Sequence, residues 1–457
     1  MLWLPGLYDP APMDHFRYDN GRLMCEGVPA VELCRQFGTP TYAYSRATLE
    51  GHYDRLTAAF GELAPLICYS IKSCSNVNIC RVLAERGSGM DVVSGGELER
   101  AWLAGCPMQK VVYAGVGKSE REIRAALDGR HSLLGEGHGD PSGRGHIGYF
   151  NIESEPEFEV VSGIAREMGV RVGGALRINP DVDPRTHAYT STGKKESKFG
   201  VDIARAIQFF EKYGRDDWLR LDALHLHIGS PVYETEPYVT AITKTLGLMD
   251  ELERCGFRIA ALDVGGGFAA DYETARSPSA AEYAAAIVPL LRDRVRRGLK
   301  IILEPGRTIS ANAGLLLTRV EYVKEGAAGK KFVICDAGMN ALIRPSFYGA
   351  FHFIWPAEPG PAFAPPRRAE RVELPGLVAC DVVGPICESS DFLAKDRPLP
   401  PVKRGDVIAV FAAGAYGMTM ASTYNTQPLP AEVLVEGRAA RLIRARPTIG
   451  ALVAPEL

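Results

Sequence analysis

Residues 65–94 read PLICYSIKSCSNVNICRVLAERGSGMDVVS, and this stretch sets the expectation for the fold. Residues 65–71 are a short apolar run that ends against Lys72. Residues 76–86 have helical composition, and 89–94 are a second short run opened by glycine. Such runs, bounded by glycine or polar residues, are how strands buried on both faces of a parallel sheet read. The same strand-then-helix rhythm continues to about residue 307. Further strands are expected at 110–115, 148–154, 171–179, 219–230, 259–267 and 299–307. Helices are expected at 118–127, where Ser119 and Glu122 have capping-box spacing, and at 280–297. Eight such units predict an α/β fold, a (β/α)₈ TIM barrel rather than an open doubly wound sheet.

After residue 311 the texture changes. Residues 315–323, 331–336, 371–383, 406–412, 432–435 and 440–444 are short β-type runs, several of them separated by Pro- and Gly-rich turns, and no long helix is legible. A separate β domain is the expectation. The chain has 457 residues, 46% hydrophobic and 23% charged, with a formal net charge of -3. That balance is ordinary for a globular protein and gives no reason to expect nucleic acid or a membrane surface as partner. The ten cysteines include no C-x-x-C pair, which argues for a reducing, cytoplasmic setting over a zinc or disulfide framework. The N-terminus lacks a signal-peptide pattern, and no apolar run is long enough to span a bilayer. Residues 135–148, GEGHGDPSGRGHIG, read as a surface loop inserted in the barrel.

Reactive residues cluster where a barrel places its active site, at the carboxyl ends of the expected strands. Lys72, Asp91, His227, Gly265–Gly267 and Glu304 all fall there. A lysine at the end of a buried strand is disposed to become a nucleophilic amine; a solvated strand-end lysine is the alternative. The Asp263-Val-Gly-Gly-Gly267 turn lets backbone N–H groups approach a phosphate, although a plain tight turn has the same composition. Glu304-Pro-Gly-Arg307 sets an acid and a base at the mouth of the last strand, where a surface ion pair is the alternative. His225 and His227 face the same side of a regular strand. His227 lies nearer the mouth and His225 reads as a core histidine; no further metal ligand is identifiable nearby, so no metal is expected. Cys387-Glu388-Ser389 adds an isolated thiol beside a carboxylate.

Together these blocks resemble the fold-type-III, pyridoxal-phosphate-dependent decarboxylases, and within them the branch that acts on diaminopimelate. The matching segments are Tyr69-Ser-Ile-Lys72, Gly89-Met-Asp91-Val-Val-Ser94-Gly-Gly-Glu97, His225-Leu-His227-Ile-Gly-Ser230, Asp263–Gly267 and Glu304–Arg307. They continue through Asp336-Ala-Gly-Met-Asn340, Arg344-Pro-Ser-Phe-Tyr348, Gly384-Pro-Ile-Cys387-Glu388-Ser389 and Ala413-Gly-Ala-Tyr416-Gly417, in the family's order over nearly the whole chain. The resemblance implies a barrel at 36–311 and a β-sandwich or barrel-like domain formed by 1–35 and 312–457. It implies that pyridoxal phosphate is held covalently by Lys72. The other cofactor contacts would be Asp91, His227, Ser230, Gly266, Gly267, Glu304, Gly306, Arg307 and Tyr416. Cys387 would be the second catalytic residue. Arg307, Arg344, Tyr348, Glu388 and Tyr416 would bind the amino-acid substrate. A homodimer with shared active sites follows, because Cys387 and Glu388 would serve the second subunit. The implied reaction converts meso-2,6-diaminopimelate to L-lysine and CO₂. A decarboxylase of ornithine, arginine, carboxynorspermidine or a carrier-bound amino acid is the alternative, followed by a racemase and a non-catalytic homologue. Pro231, Phe268-Ala269 and Thr423 depart from the family's usual residues.

Overall fold

The computed structural model describes residues 14–128, 145–183, 198–274, 276–363 and 368–457. Two compact units emerge: His52–Ser310 forms one, and the described residues up to Gly51 join those from Ala311 onward to form the other.

The first unit is a closed parallel barrel. Its eight strands are β1 (Leu66–Ser70), β2 (Gly89–Val92), β3 (Val111–Tyr113), β4 (Tyr149–Ile152), β5 (Val172–Asn179), β6 (Leu219–His225), β7 (Ala261–Asp263) and β8 (Lys300–Leu303). Each pairs in parallel with the next, and β8 returns to β1 through Ile302 opposite Leu66 and Leu303 opposite Ile67. All eight expected strands are present. They are shorter than the sequence suggests, because residues 226–230, 264–267 and 304–306 leave the ladder as loops that carry polar groups, and Arg307 opens a short helix. Ala175, Ala223 and Ala261 pack beside the Tyr149 ring. Three small side chains on β5, β6 and β7 thus leave the volume that one large ring on β4 fills, which keeps the core at close-packed density.

Helix starts are set by side-chain caps that satisfy otherwise orphaned N–H groups. Asn76, Ser94, Ser119, Ser154 and Ser279 each accept from a first-turn amide, opening Val77–Glu85, Gly95–Leu103, Glu120–Leu127, Glu155–Met168 and Ala280–Arg296. The expected box of Ser119 and Glu122 is formed, as is a second one of Ser279 and Glu282. In two further cases the third-residue glutamate turns back onto the preceding loop: Glu97 Oε2 accepts from Val93 N–H and Glu157 Oε2 from Glu153 N–H, each at 2.9 Å. These carboxylates pin the loops that follow β2 and β4, at the end of the barrel where the reactive residues sit.

The second unit is β-rich. Its long central strand, Gly314–Glu325, pairs antiparallel with Thr41–Ser45, Val407–Val410 and Lys331–Cys335. Val378–Val383 and Phe392–Leu399 extend the sheet on one side, Ala431–Glu436 and Ala439–Arg444 on the other. Every residue of Thr41–Ser45 is buried. That strand lies between Gly314–Glu325 and Ala431–Glu436, so this unit takes in a stretch that the sequence reading assigns to the barrel. A three-stranded sheet of Phe16–Asp19, Arg22–Cys25 and Val28–Pro29 precedes it. Among the described residues, no helix is long and apolar enough to cross a membrane. Of the inserted stretch 135–148, residues 135–144 lie outside the described residues.

Candidate active site

Lys72 occupies a single 3₁₀ turn, Ile71–Ser73, immediately beyond β1. Its Nζ lies 2.9 Å from Asp91 Oδ2, at the end of the neighbouring strand, and Ser70 Oγ donates to the same oxygen at 2.6 Å. Asp91 is fully buried, while the lysine side chain keeps 33% of its surface exposed. The amine is therefore anchored on a buried carboxylate while part of the lysine side chain stays exposed. Burial and the nearby Glu304 raise the Asp91 pKa, and the Lys72 ammonium opposes that rise.

His227 follows β6 in the loop. Gly266 N–H donates to its Nδ1 at 3.2 Å, so Nδ1 must be the unprotonated nitrogen. Burial, with Lys72 and Arg177 nearby, depresses the imidazole pKa well below its ordinary range. Both observations describe a neutral ring.

Gly265 and Gly267 have φ of 72° and 96°, a region that only glycine enters readily. A Cβ on Gly265, Gly266 or Gly267 would lie 2.2, 2.2 or 2.3 Å from the carbonyl oxygens of Leu226, Glu304 and Gly229. All three positions therefore require glycine, and backbone replaces side chain across this turn. Behind it, Tyr238 stacks on Phe268 with centroids 5.4 Å apart, Tyr283 packs edge-on against both, and Tyr238 donates to Gly266 O at 2.8 Å. Phe268, a departure from the family pattern, thus has a packing role.

Glu304 and Arg307 do not pair as a surface couple. Both are buried. Glu304 Oε1 accepts from Asn151 Nδ2 at 3.1 Å, and Oε2 lies 3.3 Å from His225 Nε2. Burial by itself would raise this carboxyl; His225 and Lys72 outweigh it and hold the pKa below the usual range. Arg307 donates from Nε to Ser230 Oγ at 3.2 Å and from Nη1 to Tyr272 OH at 2.9 Å. Gly306 packs with its Cβ position 3.0 Å from Ser70 Cβ.

The barrel unit thus brings together Lys72 with Asp91, His227 with Gly266, and Ser230 with Arg307. It also reveals residues that sequence reasoning missed. Asn151 and Asp263 are fully buried polar residues on β4 and β7. Arg177 and Glu153 form a buried 2.7 Å ion pair. Lys118 is 1% exposed and donates to Glu157, Gly115 O and Asn151 O. His225, read as a core histidine, is indeed buried, but its ligand atoms lie within 4.8 Å of those of Asp263 and Glu304. A polar residue inside an otherwise apolar run was the available signal for Asn151 and Asp263.

The β unit carries the remaining expected residues. Arg344 is buried at the start of the short helix Arg344–Tyr348, 6.0 Å from the Tyr348 ring centroid. Its Nε donates to His352 Nε2 at 3.3 Å; His352 Nδ1 in turn donates to Phe411 O at 2.9 Å. Cys387 and Glu388 are exposed in the isolated chain. Cys387 N–H donates to Asn425 Oδ1, and the Glu388 carboxylate accepts from Ser390 Oγ and Tyr424 OH, which lower its pKa. Asp391 accepts from Met339 N–H and Ile386 N–H, both at 2.6 Å, clamping the loop that bears Cys387. Tyr416 adopts a positive φ of 55°, uncommon for a non-glycine residue and frequent at functional sites.

The barrel residues suit a phosphorylated pyridine aldehyde. An amine stands at the mouth, a turn without side chains lets an anion approach its backbone, and a buried anionic carboxylate is available to a ring nitrogen. Asp91 Oδ1, fully buried, has no hydrogen-bond partner among the described residues.

Comparison with known proteins agrees. Residues 46–311 match the family model described as the pyridoxal-binding domain of pyridoxal-dependent decarboxylases. The chain is 43% identical over 445 residues to the diaminopimelate decarboxylase of Vibrio cholerae, covering 97% of this chain and 99% of the relative. It is 42% identical over 443 residues to that of Aquifex aeolicus, covering 97% of each. The crystal structure of diaminopimelate decarboxylase from Helicobacter pylori complexed with L-lysine superposes with a TM-score of 0.81 at 37% identity, over 93% of this chain and 98% of that one.

Proposed function

The chain belongs to the pyridoxal-dependent diaminopimelate decarboxylases, and from that premise we propose how its own residues divide the work of turning meso-2,6-diaminopimelate into L-lysine and CO₂. The carrying observation is the Lys72–Asp91 pair at the barrel mouth, an amine held by a buried carboxylate on a side chain that is one-third exposed.

When bound, pyridoxal phosphate supplies an electron sink for the pair left at the substrate α-carbon as CO₂ departs. Lys72 is the amine that would hold the cofactor aldehyde. Asp91 orients that amine and accepts its proton's hydrogen bond. Glu304, anionic, keeps a proton on the ring nitrogen, which deepens the sink. Neutral His227 would lie against the cofactor ring without adding positive charge. Ser230, Gly266, Gly267 and Tyr416 would hold the phosphate, with Gly306 and Arg307 as further cofactor contacts. Tyr416 also contacts the substrate.

Arg307, Arg344 and Tyr348 are assigned to the distal carboxylate of the substrate, and Glu388 to its distal ammonium. Guanidinium groups select a carboxylate by charge-assisted, directional hydrogen bonds, and substrates with no distal carboxylate forgo them. Cys387 gives the proton that the α-carbon needs after CO₂ leaves. The exposure of Cys387 and Glu388 in the single chain supports their service to a second copy, hence a homodimer. A cytoplasmic setting belongs to the same proposal, supported by ten unpaired cysteines.

Release of lysine and CO₂ from meso-diaminopimelate, measured beside ornithine, arginine and carboxynorspermidine, tests the substrate. Brisk turnover of another of these amino acids without turnover of diaminopimelate would overturn it.

A further inference from the structure

Asp263 has no part in the roles above, yet it is fully buried at the end of β7. Its Oδ1 accepts from Gly265 N–H at 2.8 Å, while Oδ2 is buried with no hydrogen-bond partner among the described residues. The carboxylates of Asp263 and Glu304 and a nitrogen of His225 lie within 4.8 Å of one another. Asp91 adds a third carboxylate that is fully buried. Against these three acids stands the ammonium of Lys72, already engaged with Asp91. Three buried carboxylates facing one ammonium and one imidazole do not all ionise, because an uncompensated charge there is costly. Glu304 has Asn151 and His225 to stabilise its charge. Asp263 has one backbone N–H.

We propose that Asp263 is a positioning residue for the cofactor, held as the neutral acid behind Glu304 and sharing its proton with that carboxylate, so that Glu304 remains anionic and directed at the ring nitrogen. This rests on the role given to Glu304 above. Burial and the Glu304 charge push the Asp263 pKa well above the carboxylate range, in the direction the geometry requires. The other titratable groups bearing on the pair are Asp91, His225, His227, Lys72 and the buried Cys68 thiol. A cation bound by His225, Asp263 and Glu304 is the competing account of the same cluster.

The test compares Asp263→Asn with Asp263→Ala in the holoenzyme. The readouts are the pyridoxal phosphate dissociation constant from pH 6 to 9, the pH profile of kcat, KM, and metal content. Asparagine retains both the acceptor for Gly265 and a donor for Glu304, so it should keep cofactor affinity and pH profile close to wild type. Alanine should weaken cofactor binding by between about tenfold and 150-fold, the span of one lost hydrogen bond to a buried charge. It should also move the alkaline fall of kcat to lower pH with KM unchanged. Asparagine as damaging as alanine, alanine without effect on binding or pH profile, or a stoichiometric metal whose removal reproduces the alanine variant would each overturn the proposal. Should alanine prevent folding, the asparagine variant decides, since a site needing an anion there fails with asparagine. Cofactor binding is read without substrate, so failure of the substrate assignment would leave this test intact.

Discussion

Replacing Gly266 by alanine should cripple the site through one methyl group. The added Cβ would sit 2.2 Å from the carbonyl oxygen of Glu304 and 3.2 Å from its carbonyl carbon. Ordinary contact begins near 3.4 Å, so roughly 1.2 Å must be absorbed, and both partners are backbone that cannot swing aside. Movement falls either on the phosphate-facing turn or on the residue that carries the ring-nitrogen carboxylate. Displacement of catalytic geometry by about 1 Å costs on the order of 100-fold in rate, and overpacking of this kind destabilises by about 1–3 kcal/mol. The matched control is Gly163→Ala in the helix Glu155–Met168, where nothing lies within 4 Å of the new Cβ; it should stabilise by about 0.5–1 kcal/mol. Absorbance titration with pyridoxal phosphate, initial rates of lysine release and thermal melting read all three effects. Wild-type cofactor affinity and turnover in Gly266→Ala would refute the reasoning.

Shared active sites predict complementation: Lys72→Ala and Cys387→Ala should each be inactive alone, and equal mixing with subunit exchange should restore about one quarter of wild-type activity, since half the dimers hold one intact site; no recovery in demonstrated heterodimers would contradict it. Burial pushes the Glu97 carboxyl up to about 7. The folded state therefore holds its proton more tightly than the unfolded chain, and stability attributable to this group is present at low pH and lost as pH rises from about 4.5 toward 7. Glu97→Gln should then stabilise by up to about 3 kcal/mol at pH 8 and hardly at all at pH 4.5, as denaturant melts at the two pH values would show. Lys118→Met should cost about 3–5 kcal/mol by leaving Glu157 buried and unpaired, and adding Glu157→Gln should return part of that loss in the same melts.

The barrel was legible because each strand is a local event. β1, β2 and β5 are runs of apolar residues whose ends are marked by glycine, lysine or asparagine, and the Ser119–Glu122 box lies within four residues. The sheet of the other unit was harder to read. Phe392–Leu399 carries Lys395, Asp396, Arg397 and Pro398 and has no alternating pattern. Ile354–Pro356 is only three residues long. Thr41–Ser45 reads as a strand anywhere, and its neighbours lie more than 260 residues away in sequence. Lys72, His227, the glycine turn and Glu304 stood out because strand ends concentrate chemistry. Asn151 and Asp263 did not, since their meaning lies in a carboxylate on a different strand.

The most direct measurement of the account is borohydride treatment of the holoenzyme followed by peptide mapping. The account predicts a single pyridoxyl modification, carried by the peptide containing Lys72 and lost in Lys72→Ala. A modification fixed on another lysine, or none in a protein that binds the cofactor and is active, would contradict it.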